Sequence, residues 1–232
     1  MSNHVSLFFR EYLRNFHDTG AIAPSSRWLA KALARYVVDR SMADRPRNIL
    51  EVGPGTGAVT QYLVRKLAPN DSLTLVELND RFVEHLRGRL ASEAAFSAVS
   101  SRVQVLHQRV EEAPSETRYD VIISGLPLNN FAVKDVEQIL ETFARLLAPG
   151  GTLSFFQYIA VRPARALVSG RQERERLQGI GRVLGDLLGK YQIRCEWIWP
   201  NVPPAWVHHV RLQNERATEP VVAAADRPSY NR

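Results

Sequence analysis

The chain has 232 residues, 45% of them hydrophobic and 23% charged, which excludes a disordered or fibrous protein and allows one domain with appendages. One cysteine, Cys195, excludes an internal disulfide framework or a paired-cysteine metal site and fits a reducing cytoplasm. The net charge of +6, with pI near 9.8, points to an anionic surface as partner. The N-terminus lacks the apolar core and cleavage site of a secretory signal. No run reaches membrane-spanning length, so a soluble or peripheral protein is expected.

In chain order, residues 5–16 place Val5, Phe8, Phe9, Tyr12, Leu13 and Phe16 on one helical face, opposite Arg10, Glu11, Arg14 and Asn15. Such a stripe serves either a membrane-docking helix that also closes a site or a helix packed on the core. Gly20-Ala21-Ile22-Ala23-Pro24 breaks the period. Ser25 or Ser26 then caps a second helix through about Val38. Lys31 and Arg35 on it are candidate contacts for anionic headgroups.

From Asn48 onward strands and helices alternate. The predicted strands are 48–52, 72–78, 103–107, 119–124 and 152–158, with helices at about 57–67, 80–92 and 133–147 between them. Alternation of this kind builds a parallel sheet with helices on both faces. Ala148-Pro149-Gly150-Gly151 is the turn before the fifth strand. A helical region of about 164–189 leads to two closing strands, about 192–199 and 206–212. Residues 213–232 are polar and lack an apolar period, so a flexible tail is expected. Residues 162–190 carry seven basic and three acidic side chains, a local excess suited to nucleic acid or anionic lipid.

The first strand runs into Glu51-Val52-Gly53-Pro54-Gly55-Thr56-Gly57 and then a helix. Gly53, Gly55 and Gly57 allow a sharp turn and let a ligand lie against bare main chain at a helix N-terminus. The spacing is not that of a pyrophosphate cradle, and no P-loop lysine follows. Glu77 ends the second strand, where an acid suits the two hydroxyls of a ribose. Glycine turn and distant acid together resemble the cofactor site of Rossmann-like S-adenosylmethionine-dependent methyltransferases.

That resemblance implies the methionine carboxylate on the amides of Gly53, Gly55, Thr56 and Gly57, and the methionine ammonium at Glu51, directly or through water. Glu77 would hold the ribose, and Leu78, Val110 and Ser124 would complete the cofactor site. Arg109 stands where an aspartate for the adenine amine is expected, so Gln108, Glu111 or a backbone carbonyl must replace it. No metal is implied.

Four segments narrow the resemblance: Gly20–Ser26, Leu50–Gly57, Ser124-Gly125-Leu126-Pro127-Leu128-Asn129-Asn130-Phe131, and Asn201-Val202-Pro203-Pro204-Ala205. Together they are similar to the bacterial phospholipid N-methyltransferases, over residues 5–212. The family implies methyl transfer to the amine of phosphatidylethanolamine, up to three times, toward phosphatidylcholine. It also implies an α/β fold with a mostly parallel seven-stranded sheet and an N-terminal helical extension. Tyr158 would contact the lipid ammonium, and Gly125, Leu126 and Asn129 or Asn130 would hold the nucleophile.

The domains expected are 1–45 for docking helices, 46–212 for the methyltransferase unit and 213–232 for the tail. The partner expected is a phospholipid in an anionic membrane, met through 5–16 and 162–190 on the inner face of the cell membrane. Because no aromatic follows Pro127, no platform for a flipped base exists, and nucleic acid is not expected. An RNA adenine or small-molecule N-methyltransferase, or a non-catalytic binding module, are the other readings. Cys195 reads as structural filler. Trp197, Trp199 and Trp206 read as core or hairpin packing, with interface anchoring as the alternative. His208 and His209, adjacent in a strand, point to opposite faces and make no metal pair.

Overall fold

The computed structural model describes residues 27–39, 45–114, 116–159, 170–201 and 203–212. The expected 5–16 helix, the Gly20–Ser26 segment, residues 162–169 of the basic stretch and the 213–232 tail lie outside the described residues. Two short helices, α1 (Arg27–Leu33) and α2 (Arg35–Val38), replace the single helix expected there. Hydrogen bonding continues across the break, from Ala34 N to Ala30 O and from Val37 N to Ala34 O, both 3.0 Å. The second of these bonds is one residue shorter, so the last turn is tightened and not separate.

Next come β1 (Asn48–Val52), α3 (Ala58–Val64), β2 (Ser72–Glu77), α4 (Asp80–Ser92), α5 (Ala94–Ser97), β3 (Val103–His107) and β4 (Tyr119–Ser124). They are followed by α6 (Val133–Leu146), β5 (Leu147–Tyr158), α7 (Arg171–Tyr191), β6 (Gln192–Ile198) and β7 (Ala205–Val210). The seven strands lie in the order β3-β2-β1-β4-β5-β7-β6. All neighbours are parallel except β7, which runs antiparallel to both β5 and β6. Sequence order reverses between β1 and β4, so a crevice opens there beyond the carboxyl ends of the strands, where ligands of open α/β sheets bind.

β1 and β4 are buried along nearly their whole length, with Ile49, Leu50, Val52, Val121, Ile122 and Ile123 at their centres, because both of their faces are covered. One face packs Leu29 and Leu33 of α1, Leu63 of α3, Leu86 of α4 and Phe96 of α5. The other packs Val136, Ile139 and Phe143 of α6 with Ile180 and Leu184 of α7. β5 begins earlier than the sequence predicts. Leu147 pairs with Tyr119, and Thr152 with Val121, so the expected Ala148–Gly151 turn survives as a bulge around Gly150, whose φ is 74°.

β6 is an edge strand, and Cys195 on it is exposed, not filler. Trp197 and Trp199 are 56% and 62% exposed, so of core or hairpin packing it is the hairpin that holds. Their rings lie 5.5 Å apart, and Trp197 meets Trp206 edge-on at 5.4 Å. At this edge the indoles pack on one another. Among the described residues no helix is long and apolar enough to cross a membrane.

The histidine pair does split across the sheet. His208 packs on Phe155, while the His209 ring nitrogens meet Ser154 Oγ at 2.8 Å and Glu196 Oε1 at 3.1 Å. Burial pushes both imidazoles down to about 4, so both are neutral near pH 7. Among the described residues no group of three or more His, Cys, Asp or Glu could hold a metal ion.

Candidate active site

The crevice is built on backbone. Gly53, Gly55 and Gly57 have φ of 67°, 57° and 80°, values that side chains other than glycine rarely adopt. Gly53 N donates to Val76 O and Gly57 N to Pro54 O, both at 2.9 Å, which closes the turn between β1 and α3. The tip of β4 lies against it: Gly125 N donates to Val52 O at 2.8 Å, and a Cβ on Gly125 would fall 2.5 Å from Gly53 O. A Cβ on Gly55 would meet nothing within 4 Å, so the turn keeps an open side.

Arg89 of α4 clamps the same turn from behind. Its Nη1 donates to Thr56 O at 3.0 Å and Gly57 O at 3.1 Å, while Glu93 holds its other nitrogens. Sequence reasoning missed Arg89. Its one signal, Glu93 four residues on, looks like any exposed helical pair.

Two acids stand at the strand ends. Glu77, 2% exposed, accepts from Gly55 N at 3.0 Å, Leu78 N at 2.8 Å and Asn79 N at 2.9 Å. Its carboxylate is thereby fixed at the glycine turn. Burial holds it above its ordinary range even against these three amides. Glu51, 1% exposed, is deeper than a strand end in solvent, and its Oε2 accepts from Thr60 Oγ1 at 2.8 Å.

Burial pushes the Glu51 carboxyl up to about 8, with Glu77 adding repulsion. Between its ordinary value of about 4.3 and 8, folded Glu51 holds a proton that the unfolded chain has released. Stability should therefore fall as pH rises through this window, by at most ~1.4 kcal/mol per pH unit, and level off above it. Glu51→Gln should remove that share of the slope and leave the share of Glu77, which has the same sign. Urea unfolding of both proteins at pH 5, 6.5 and 8 measures this, and identical slopes would show that Glu51 is already ionised.

A cleft of about 430 Å³, open to solvent, lies over these ends. Gly53, Glu77, Leu78, Val110 and Leu126, all expected at the site, line it together with Gln108, Arg109 and Glu111. Arg109 Nη2 donates to Glu111 Oε1 at 2.9 Å, so the residue in the aspartate's place is turned into an ion pair. Gln108 Nε2 is buried with no hydrogen-bond partner among the described residues. Glu51 and Ser124 are buried behind the cleft; Ser124 Oγ accepts from Leu126 N at 3.3 Å and shapes the loop.

Asn129 is buried in the loop after β4, and its Oδ1 likewise has no partner among the described residues. Tyr158 does not line the cleft. It packs on the α1 side of the sheet, edge-on to Phe156 at 5.1 Å, and burial raises its phenol above the usual value. Two arginines counted in the sequence as headgroup contacts are held internally. Arg35 pairs with Glu196, and Arg176 donates to Asn129 O and Phe131 O while pairing with Glu173.

An open parallel sheet with a glycine turn at its switch point and a fixed acid on the next strand defines a nucleoside-binding domain. The residues present fit S-adenosylmethionine: open space beside Gly55 at the turn, a two-oxygen acid fixed next to it, and a largely apolar slot lined by Val52, Val76, Leu78, Val110 and Leu126. Residues 49–151 match the family model described as a methyltransferase domain. The fold is thus Rossmann-like, its residues 49–151 are similar to a methyltransferase domain, and S-adenosylmethionine is the cofactor the cleft fits.

An ornithine lipid N-methyltransferase from Singulisphaera acidiphila is 28% identical over 148 residues, which cover 64% of this chain and 74% of that protein. The ubiquinone/menaquinone biosynthesis C-methyltransferase UbiE of Idiomarina loihiensis is 26% identical over 125 residues, covering 53% of this chain and about half (47%) of the relative. Among solved structures, the O-methyltransferase TomG from Streptomyces achromogenes in complex with S-adenosylmethionine superimposes with a TM-score of 0.55. It is 19% identical and covers 79% of this chain and 78% of its own, a likeness of fold.

Proposed function

We propose that the protein transfers methyl groups from S-adenosylmethionine to the amine of phosphatidylethanolamine and of its mono- and dimethyl derivatives, at a membrane surface. The observation that carries this reading is the similarity to a lipid N-methyltransferase over 148 residues. The cofactor supplies a methyl group on a sulfonium, open to in-line attack by a neutral amine.

The chain's own residues then hold and orient. The Gly53, Gly55 and Gly57 amides already donate to Val76 O, Glu77 Oε2 and Pro54 O, so the methionine carboxylate is assigned to the Thr56 amide; Glu77 takes the ribose hydroxyls, and Glu51, buried under Thr60, is assigned to the ammonium through water. Leu78 and Val110 flank the base. On the acceptor side, the Leu126 carbonyl already accepts from Leu128 N at 2.9 Å. The unpartnered Asn129 Oδ1 is therefore the acceptor we assign to an amine N–H, with the Gly125 carbonyl beside it. Tyr158 ends β5 at the same end of the sheet but packs outside the cleft against Phe156, so the contact with the lipid ammonium expected of it is not assigned. With these groups positioned, proximity supplies much of the acceleration, since the methyl group arrives activated.

Support for a membrane surface comes from the exposed Trp197–Trp199 pair. It lies at the end of β6, which pairs at Ile198 with Ala205, itself the partner of Tyr158. The indoles thus sit at the end of the sheet that carries the site, and tryptophan favours the headgroup level of a bilayer. Residues 5–16 and 162–190 are the further segments we assign to an anionic membrane.

Incubation with labelled methyl donor and, separately, phosphatidylethanolamine vesicles, RNA and small amines tests this reading. Label is expected on the lipid, in up to three steps. Label on RNA or a small amine alone would overturn the lipid assignment. Cofactor binding without transfer to any acceptor would make the protein a binding module.

A further inference from the structure

Arg89 does not line the cleft, yet its guanidinium is held by groups from three parts of the fold. Nε and Nη2 make a two-bond fork with the Glu93 carboxylate, at 2.7 and 2.9 Å, just past the end of α4. Cζ lies over the Phe96 ring of α5, 4.1 Å from its centroid. Nη1 is left to bridge two carbonyls of the glycine turn, Thr56 O at 3.0 Å and Gly57 O at 3.1 Å. Gly57 provides the room for this reach, because a Cβ there would fall 2.9 Å from Arg89 Nη1. A lysine could carry the charge, but only a planar fork serves an acid and two carbonyls at once.

The bridge constrains the turn beside Thr56. Thr56 O and Gly57 N belong to one rigid peptide plane, tied at one end by Arg89 and at the other by Pro54 O. Thr56 itself is exposed between two glycines with φ of 57° and 80°, residues whose backbone swings freely unless it is held. On the S-adenosylmethionine reading of the cleft, we propose that Arg89 is a positioning residue for the amino-acid end of the cofactor. By fixing the plane that follows Thr56, it keeps the Thr56 amide aimed at the methionine carboxylate. Its charge is already matched by Glu93, so its contribution is orientation.

Two ligands separate this role from a general one in folding. S-adenosylhomocysteine carries the carboxylate and ammonium, whereas methylthioadenosine keeps the nucleoside and the sulfur without them. Both are titrated calorimetrically into the wild type, Arg89→Met, Arg89→Lys and Glu93→Gln. Arg89→Met should bind S-adenosylhomocysteine about tenfold more weakly, the scale of one hydrogen bond to a charged group, and methylthioadenosine within about twofold of wild type. Arg89→Lys should recover no more than about threefold of that loss. Glu93→Gln keeps the arginine but loosens its fork, and should show the same split at about threefold. It carries the test if Arg89→Met does not fold.

Equal weakening of both ligands marks Arg89 as structural and overturns the proposal, as does unchanged affinity for S-adenosylhomocysteine. Full recovery by lysine overturns it too, by showing that charge and not orientation matters. If the wild type binds methylthioadenosine as tightly as S-adenosylhomocysteine, the turn does not read the amino-acid end, and the inference fails while the nucleoside site stands. If the wild type binds neither ligand, the cofactor reading itself fails, and this inference with it.

Discussion

Gly125→Ala should lose both cofactor binding and about 2–4 kcal/mol of stability, far more than the same change at Gly55. A methyl group at 125 would meet Gly53 O at 2.5 Å, and that atom is backbone, which cannot swing aside. The tips of β1 and β4 must then part, which strains the core by about 1–3 kcal/mol and breaks the 2.8 Å bond from Gly125 N to Val52 O for about 1 more. The crevice opens at this junction, so its geometry is lost with it. Gly55→Ala adds a side chain to open space and should cost only the left-handed backbone penalty of about 1–2 kcal/mol. Denaturant unfolding with calorimetric titration of S-adenosylhomocysteine separates the two variants. Equal behaviour would mean that the β1–β4 contact is not what shapes the site.

Asp71→Ala should be as damaging although it lies at the opposite end of β1 and β2. Arg47 and Asp71 are 4% and 0% exposed, and Arg47 Nη2 lies 2.8 Å from Asp71 Oδ2. Asp71 also accepts from Arg47 N at 3.0 Å. The guanidinium reaches on to Tyr36 O at 3.0 Å and Val37 O at 2.6 Å, capping the end of α2. Removing the carboxylate leaves a buried charge against carbonyls alone, a loss of about 3–5 kcal/mol. For a domain whose total stability is about 5–15 kcal/mol, this approaches unfolding. Urea denaturation reads the loss directly. A change below about 1 kcal/mol would mean that water reaches the guanidinium.

The contrast between these two changes reflects what could be read before the fold was known. The glycine turn, Glu77 and the strands of the parallel half were legible because each is a local signal. A run of apolar residues ends at glycine, an acid closes the next run, and the helical period follows. The bulge at Gly150 was half legible: the turn residues were plain, but their place inside a strand depends on how Leu147 pairs with Tyr119. The site was legible as a set of candidates and no further. Glu51 and Glu77 look alike in the sequence, yet Glu51 is sealed under Thr60 while Glu77 faces the cleft.

By itself the sequence determined the α/β class, the glycine turn with its acid, and the loop after β4, because turn chemistry and hydrophobic period act between near neighbours. Only the tertiary structure decided which charges are consumed. Arg35 and Arg176 read as free cations, and each was consumed by distant groups, Arg35 by Glu196 and Arg176 by the carbonyls of Asn129 and Phe131. It alone decided that Trp197 and Trp199 are exposed, since burial depends on whether a strand ends up at the edge of its sheet, and strand order is fixed by contacts far apart in the chain. It alone left the Gln108 Nε2 buried with no hydrogen-bond partner among the described residues, because burial, unlike residue type, is a property of everything packed around a group.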